Sequence, residues 1–207
     1  MALRLEAACL KKVFNRRVIF QDISFGVGEG ETLLISGKNG SGKSTLAKIV
    51  CGVLTPTGGA VAINGAAGIP EAVRIGMFGL VAPYLQLYEE FSGEENLRLS
   101  SSIRGARADL QRIRDLMVMV GLQDRRSDPV RTYSSGMKQR AKYACALLHR
   151  PPVLILDEPA ANLDGDGIDM VREVMRSQRK TGILIVATND LTDVESHTQQ
   201  VDLDAPR

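Results

Sequence analysis

With 207 residues the chain has the length of one domain able to bury a substantial core, and its 44% apolar and 24% charged residues are ordinary for a globular fold, which excludes extended disorder. Lysine and arginine number 26 against 24 aspartate and glutamate, a formal charge of +2 with no long basic block, so nucleic acid is not an expected partner. No apolar run approaches the roughly 20 residues that span a bilayer, and Cys9, Cys51 and Cys145, isolated among apolar neighbours, read as small core residues in a reducing compartment.

The N-terminal run alternates apolar and polar positions with Arg4 and Glu6 inside it, so it reads as a strand and not as a signal peptide, and a cytoplasmic chain is expected. Residues 2–8 and 17–25 are expected to form an antiparallel pair, separated by the polar Lys11-Lys12 and Asn15-Arg16-Arg17 segments. Residues 26–31 read as a turn and 32–36 as a buried strand.

That strand delivers the nine residues GKNGSGKST, Gly37 to Thr45, ahead of a helical pattern. This is a P-loop. Gly37, Gly40 and Gly42 let the backbone turn tightly and approach a polyphosphate, with Asn39 and Ser41 completing the cradle of N–H groups at the helix N-terminus. Lys43 is placed to reach the β- and γ-phosphates, the Ser44 hydroxyl to coordinate Mg²⁺, and Thr45 to support an α-phosphate contact, so a nucleotide with Mg²⁺ is the expected ligand. The strand before and the helix after set this apart from a glycine-rich cap beside a merely solvated lysine.

The helix over 44–53 is expected to end at Gly52 and Pro56, with a turn through Gly59, a strand over 60–64, a surface loop over 65–73 and a strand over 75–81 interrupted by Gly76 and Gly79 and stopped by Pro83. From 89 to 150 the period is helical. Ser92 and Glu95 fit a capping box, and Leu110, Ile113, Leu116, Met117 and Val120 recur on one face before Gly121. Met117 and Met119 read as core filling, not as a ligand surface.

Pro151-Pro152 ends this insert. Residues 153–156 form a continuously apolar strand of the buried parallel type. It ends in adjacent carboxylates, Asp157 and Glu158, at the edge where α/β sheets place ligands. Asp157 is expected to hold Mg²⁺ opposite Ser44, and Glu158 to face the water that attacks the γ-phosphate. Ile168, Val171, Val174 and Met175 mark a further helix, followed by a strand over 183–187 and a short one near 201–204.

The P-loop, Tyr133-Ser134-Ser135-Gly136-Met137, Leu156-Asp157-Glu158-Pro159 and Asn162-Leu163-Asp164, in this order and spacing, resemble the ATP-binding subunit of an ABC transporter over almost the whole chain. The resemblance implies an α/β fold: a RecA-like P-loop NTPase core with an N-terminal antiparallel β subdomain (1–88 and 151–207) and an inserted helical signature subdomain (89–150). It implies a homodimer or pseudo-dimer in which ATP lies between the P-loop of one copy and Ser134, Ser135 and Gly136 of the other, with Asp164 at the seam. It also implies a separate transmembrane subunit and a peripheral place on the inner face of the cell membrane. Phe14 is the candidate for stacking on adenine, against a competing place in the core.

The sequence departs from this pattern in three places. The signature is YSSGM where many members carry LSGGQ. Pro83 holds the usual place of the Q-loop glutamine, with Gln86 either substituting or simply exposed. Asn189 stands where a switch histidine is usual, and it can hydrogen-bond a phosphate without taking up a proton near neutral pH. His149 and His197 read as capping or surface residues. Hydrolysis is therefore expected to be slow but present, since Glu158 remains; the alternative is an ATP-gated, non-hydrolysing regulatory or structural component. An ATPase acting on DNA or ribosomes would need a coiled-coil insert or a second cassette, and the sequence has neither. The short chain and the YSSGMKQR signature are most similar to the small heme-exporter type of cytochrome c maturation, and Tyr88 and Phe91 are candidates for the groove that receives the membrane subunit.

Overall fold

The computed structural model describes residues 2–67, 76–194 and 196–205. Two sheets organise it. β1 (Arg4–Phe14) and β2 (Arg17–Gly28) form the expected antiparallel pair, and β4 (Gly58–Ile63) and β5 (Ala66–Ala67) extend it in the order β2-β1-β4-β5. The second sheet is parallel, in the order β6 (Phe78–Val81), β7 (Val153–Asp157), β8 (Ile183–Ala187), β3 (Thr32–Ser36), β9 (Gln199–Asp202).

The central parallel strands are buried on both faces, as their unbroken apolar runs require. Alternation sorts their side chains into two cores. Leu33, Ile35, Val153, Ile155, Ile183 and Ile185 face one way, onto α1 (Lys43–Val50) and the antiparallel sheet. Leu34, Leu154, Leu156, Leu184 and Val186 face the other, onto the helices α2 (Gly93–Ile103), α3 (Leu110–Met119), α4 (Ser135–Leu147) and α5 (Gly165–Thr181). Fully burying each such side chain stabilises the fold by roughly 1.5–3 kcal/mol, so both cores clamp the sheet whose C-terminal edge carries Gly37, Asp157 and Thr188.

Several expectations need correction. Lys11 and Lys12 do not end the first strand; the chain reverses only at Asn15 and Arg16, both at positive φ, in a tight two-residue hairpin loop. Gly58 and Gly59 belong to β4 and not to a turn. A Cβ on Gly59 would sit 2.4 Å from the carbonyl oxygens of Ala8 and Cys9, where β1 is irregular, so the close approach demands glycine. Cys9 is exposed, with its backbone at φ 49, and only Cys51 is fully buried. Met117 is buried as expected, whereas Met119 is 41% exposed because it falls off the α3 stripe. The strand expected from residue 75 begins at Phe78, with Gly76 and Met77 helical, and the loop expected over 65–73 lies outside the described residues from 68 onward. The capping box at Ser92 and Glu95 is present, with both reciprocal bonds made.

Candidate functional site

β3 ends at Ser36 and the chain wraps through Gly37–Gly42 into α1. Gly37, Gly40 and Gly42 have φ of 143, 84 and 105, in the region L side chains avoid, and a Cβ on Gly42 would lie 2.6 Å from Ile19 Cγ2. Lys43 is buried. Its Nζ donates to the carbonyls of Gly37 at 2.8 Å and Lys38 at 3.2 Å and lies 3.4 Å from Glu158 Oε1. A cavity of about 350 Å³ opens here, lined by Phe14, Ile19, Asn39, Gly40, Gly42, Lys43, Ser44, Thr45 and Glu158. The structure thus brings Phe14 to the P-loop, 43% exposed and outside the core.

Asp157, the last residue of β7, is fully buried, and neither of its carboxylate oxygens has a hydrogen-bond partner among the described residues. Burial holds its carboxyl above the usual carboxylate range. The neighbouring Ser44 hydroxyl and the charges of Lys43 and Lys48 act against that shift, and Glu158 adds to it. Ser44 thus sits near the carboxylate without hydrogen-bond geometry to either oxygen. Glu158 follows at φ 50, an uncommon backbone for a non-glycine residue, held by its N–H donating to Ala187 O at 2.8 Å. Across β8, Asn189 Nδ2 donates to Asn39 Oδ1 at 3.3 Å, linking the switch position to the P-loop.

Ser134, Ser135, Gly136 and Asp164 do not line this cavity. Ser134 caps α4, accepting from Met137 N at 3.2 Å, and Ser135 is exposed beside it. Asp164 caps α5 through Gly167 N at 2.9 Å and pairs with Arg140 of α4 at 2.5 Å, which holds its carboxyl below the usual range. The signature helix and the segment after Pro159 are therefore locked together, and a buried bond from Tyr143 Oη to Pro159 O at 2.8 Å reinforces that lock.

At the exit of β6, Pro83 offers only its carbonyl, which with that of Ala82 accepts from Lys142 of α4 at 3.1 and 3.3 Å. Gln86 is exposed and lines a different cavity, so it does not stand in at the nucleotide pocket. Tyr84 is the residue that sequence reasoning missed. Its ring covers Lys48 Nζ at 3.7 Å, one helical turn beyond Ser44, and burial together with the charge of Asp157 raises its hydroxyl pKa. The signal was an aromatic directly after Pro83, but only the folded chain shows which lysine it meets. His149 is half-buried against Phe78 O at 3.2 Å, not a surface residue, and His197 is exposed.

The sequence model of the ABC transporter family matches residues 20–161, which include the P-loop, the signature and both carboxylates. The chain belongs to the ABC transporter family. It is 34% identical over 201 residues to a lipoprotein-releasing system ATP-binding protein, LolD 1 of Caulobacter vibrioides, covering 90% of this chain and 86% of that one. It is 30% identical over 188 residues to the linearmycin resistance ATP-binding protein LnrL of Bacillus subtilis, spanning 89% of this chain but only 60% of that protein. Among solved structures, an ATP-binding subunit of an ABC transporter superposes with a TM-score of 0.82 at 34% identity, over 91% of this ABC chain and 80% of the other. No helix among the described residues is long and apolar enough to cross a membrane.

Proposed function

We propose that this chain binds and hydrolyses ATP to power an ABC exporter, as one half of an ATP-sandwich dimer coupled to a separate membrane subunit. The observation that carries the reading is the pocket that joins Phe14, the P-loop and Glu158 beside the two unpartnered oxygens of Asp157. The loop amides and Lys43 bind and orient the polyphosphate, Phe14 stacks on the base, and Glu158 accepts the proton of the attacking water. Asn189 holds a γ-phosphate oxygen by hydrogen bond.

Two buried anionic oxygens beside a serine hydroxyl fit a hard divalent cation with few protein ligands. Ser44 and Asp157 would hold Mg²⁺, which supplies charge neutralisation on the phosphates. The signature residues complete a second copy's pocket from outside, since Ser134, Ser135, Gly136 and Asp164 lie away from the pocket of their own chain. We also propose the division into a core of 1–88 and 151–207 and a signature subdomain of 89–150.

The membrane subunit docks, on this reading, in the cavity of about 310 Å³ lined by Leu80, Leu85, Leu87, Tyr88, Leu99 and Ile103. Tyr88 and Phe91 are exposed beside one another with ring centroids 5.7 Å apart. On this reading the chain sits at the inner face of the membrane through its partner. The likeness to the heme-exporter type of cytochrome c maturation rests on the chain length and the YSSGMKQR signature; the relatives above are named for lipoprotein release and linearmycin resistance, and no cargo is proposed.

A non-hydrolysing, ATP-gated component is the second reading, favoured by Asn189 and by the absence of Gln86 from the pocket. ATP turnover of the purified chain with Mg²⁺ separates the two. The first reading expects slow turnover that Glu158→Gln lowers by about 10²–10⁴-fold. Turnover unchanged by Glu158→Gln, or none in either protein with ATP bound, sinks it.

A further inference from the structure

Far along α4 from its signature end, the helix termini hold a second concentration of charge. A cavity of about 240 Å³ forms where the C-terminal end of α2, the start of α3 and the C-terminal end of α4 meet. Arg104, Arg107, Arg112, His149 and Arg150 line it, with Asp109 the single carboxylate among the lining residues.

None of the four guanidiniums lies within ion-pair distance of a carboxylate among the described residues. Part of this cluster has a structural use. Arg112 Nη2 donates to Leu147 O at 3.0 Å, closing α4, and Arg104 Nη1 donates to Ser100 O at 3.0 Å and to Ser100 Oγ at 2.5 Å. Helix capping leaves the rest unexplained. The Nε atoms of Arg104 and Arg112 and the Nδ1 of His149 are buried with no hydrogen-bond partner among the described residues. Such groups cost free energy unless a hydrogen-bond partner reaches them.

The surroundings agree. Burial lowers the pKa of Arg104 and of Arg112, and Arg150 lowers Arg112 further, with Asp115 and Asp109 opposing. Burial and then Arg104 bring His149 down to about 4. Positive charge is therefore crowded here, with Asp109 and Asp115 opposing it without pairing to any of the four guanidiniums.

We propose that this cavity binds a small phosphate-bearing anion, held by Arg104, Arg107, Arg112 and Arg150 and by His149. Forked guanidinium donors match phosphate oxygens. Because His149 Nε2 faces a carbonyl, which only accepts, Nε2 carries the proton and the buried Nδ1 keeps a lone pair with no partner among the described residues. A phosphate that still carries a proton can donate it in a hydrogen bond to that lone pair. The volume, below the 350 Å³ of the nucleotide pocket, suits inorganic phosphate or pyrophosphate better than a whole nucleotide.

His149 itself is the reporter, since the chain has one other histidine, His197, which is exposed and can be replaced by glutamine. Sodium phosphate is titrated into the His197→Gln chain and the His149 ring resonance is followed by NMR, with sodium chloride at matched ionic strength as control. The expected result is a saturable shift with a midpoint at about millimolar or below, weakened about tenfold or more in the exposed-site double variant Arg107→Gln/Arg150→Gln. A resonance that moves no further with phosphate than with chloride overturns the proposal, as does an unaltered response in the double variant. A response to phosphatidylglycerol vesicles without one to free phosphate also overturns it, in favour of a membrane surface. The readout is local, so it stands or falls independently of ATP turnover.

Discussion

The nucleotide pocket and the arginine-lined cavity both gather groups suited to a phosphate, by opposite means. The first uses backbone amides of one continuous loop and a single lysine, and sets Glu158 and Asp157 against the positive charge. The second uses four guanidiniums, three at helix ends and Arg107 in the loop between α2 and α3, with one carboxylate among its lining residues. A site made from contiguous backbone needs glycines in a fixed spacing and is legible as a motif, whereas a site made from side chains at distant helix ends leaves no local pattern.

That difference can be sharpened by substitution. The largest effect is expected at the pocket, where Lys43→Ala removes the central cation and should weaken ATP binding about 10–100-fold, by the roughly 1.5–3 kcal/mol of charge-assisted hydrogen bonds; titration calorimetry reads it. Asp157→Asn should act in two directions. It removes a buried, unpartnered charge and so should raise the melting temperature of the nucleotide-free chain by about 2–4 °C, corresponding to about 1 kcal/mol, while abolishing the additional stabilisation that Mg²⁺ gives over ATP alone. A melting temperature that falls would mean the carboxylate is satisfied in the free protein.

The cavity should answer to acid instead. The folded chain holds His149 near 4 while an unfolded chain titrates near 6.5. Below 6.5 the unfolded state binds the extra proton, so stability should fall as pH drops from 6.5 toward 4, by roughly 1–2 kcal/mol in denaturant titrations. His149→Phe should flatten that slope, and phosphate should oppose the fall if it favours the protonated ring. Tyr84→Ala is the smallest change: loss of the ring over Lys48 should cost about 0.5–1 kcal/mol, with a measurable change in Mg²⁺-dependent ATP affinity because Lys48 sits one turn beyond Ser44.

Most of the fold could be read in advance because its signals are local. Unbroken apolar runs marked β3, β7 and β8, and the Ser92–Glu95 box marked the start of α2. Errors came where tertiary contact overrides composition. Lys11 and Lys12 look like a break but lie in a strand whose Lys12 Nζ reaches Thr55 O, and Gly59 looks like a turn but serves a close strand approach. Within the site, the P-loop and the two carboxylates were legible as residue types. The lock between Asp164 and Arg140, the carbonyls held by Lys142 and the place of Tyr84 over Lys48 were not, since each joins elements far apart in the chain.

A site split between two copies is tested most directly by mixing inactive chains. Lys43→Ala disables the P-loop, and Ser135→Glu, at an exposed first position of α4, sets a negative charge where the partner's phosphate would lie. Each alone should be inactive, and an equimolar mixture should regain ATP turnover, because mixed dimers hold one intact composite site. A mixture as inactive as its components, or a Ser135→Glu chain as active as the wild type, would contradict the account.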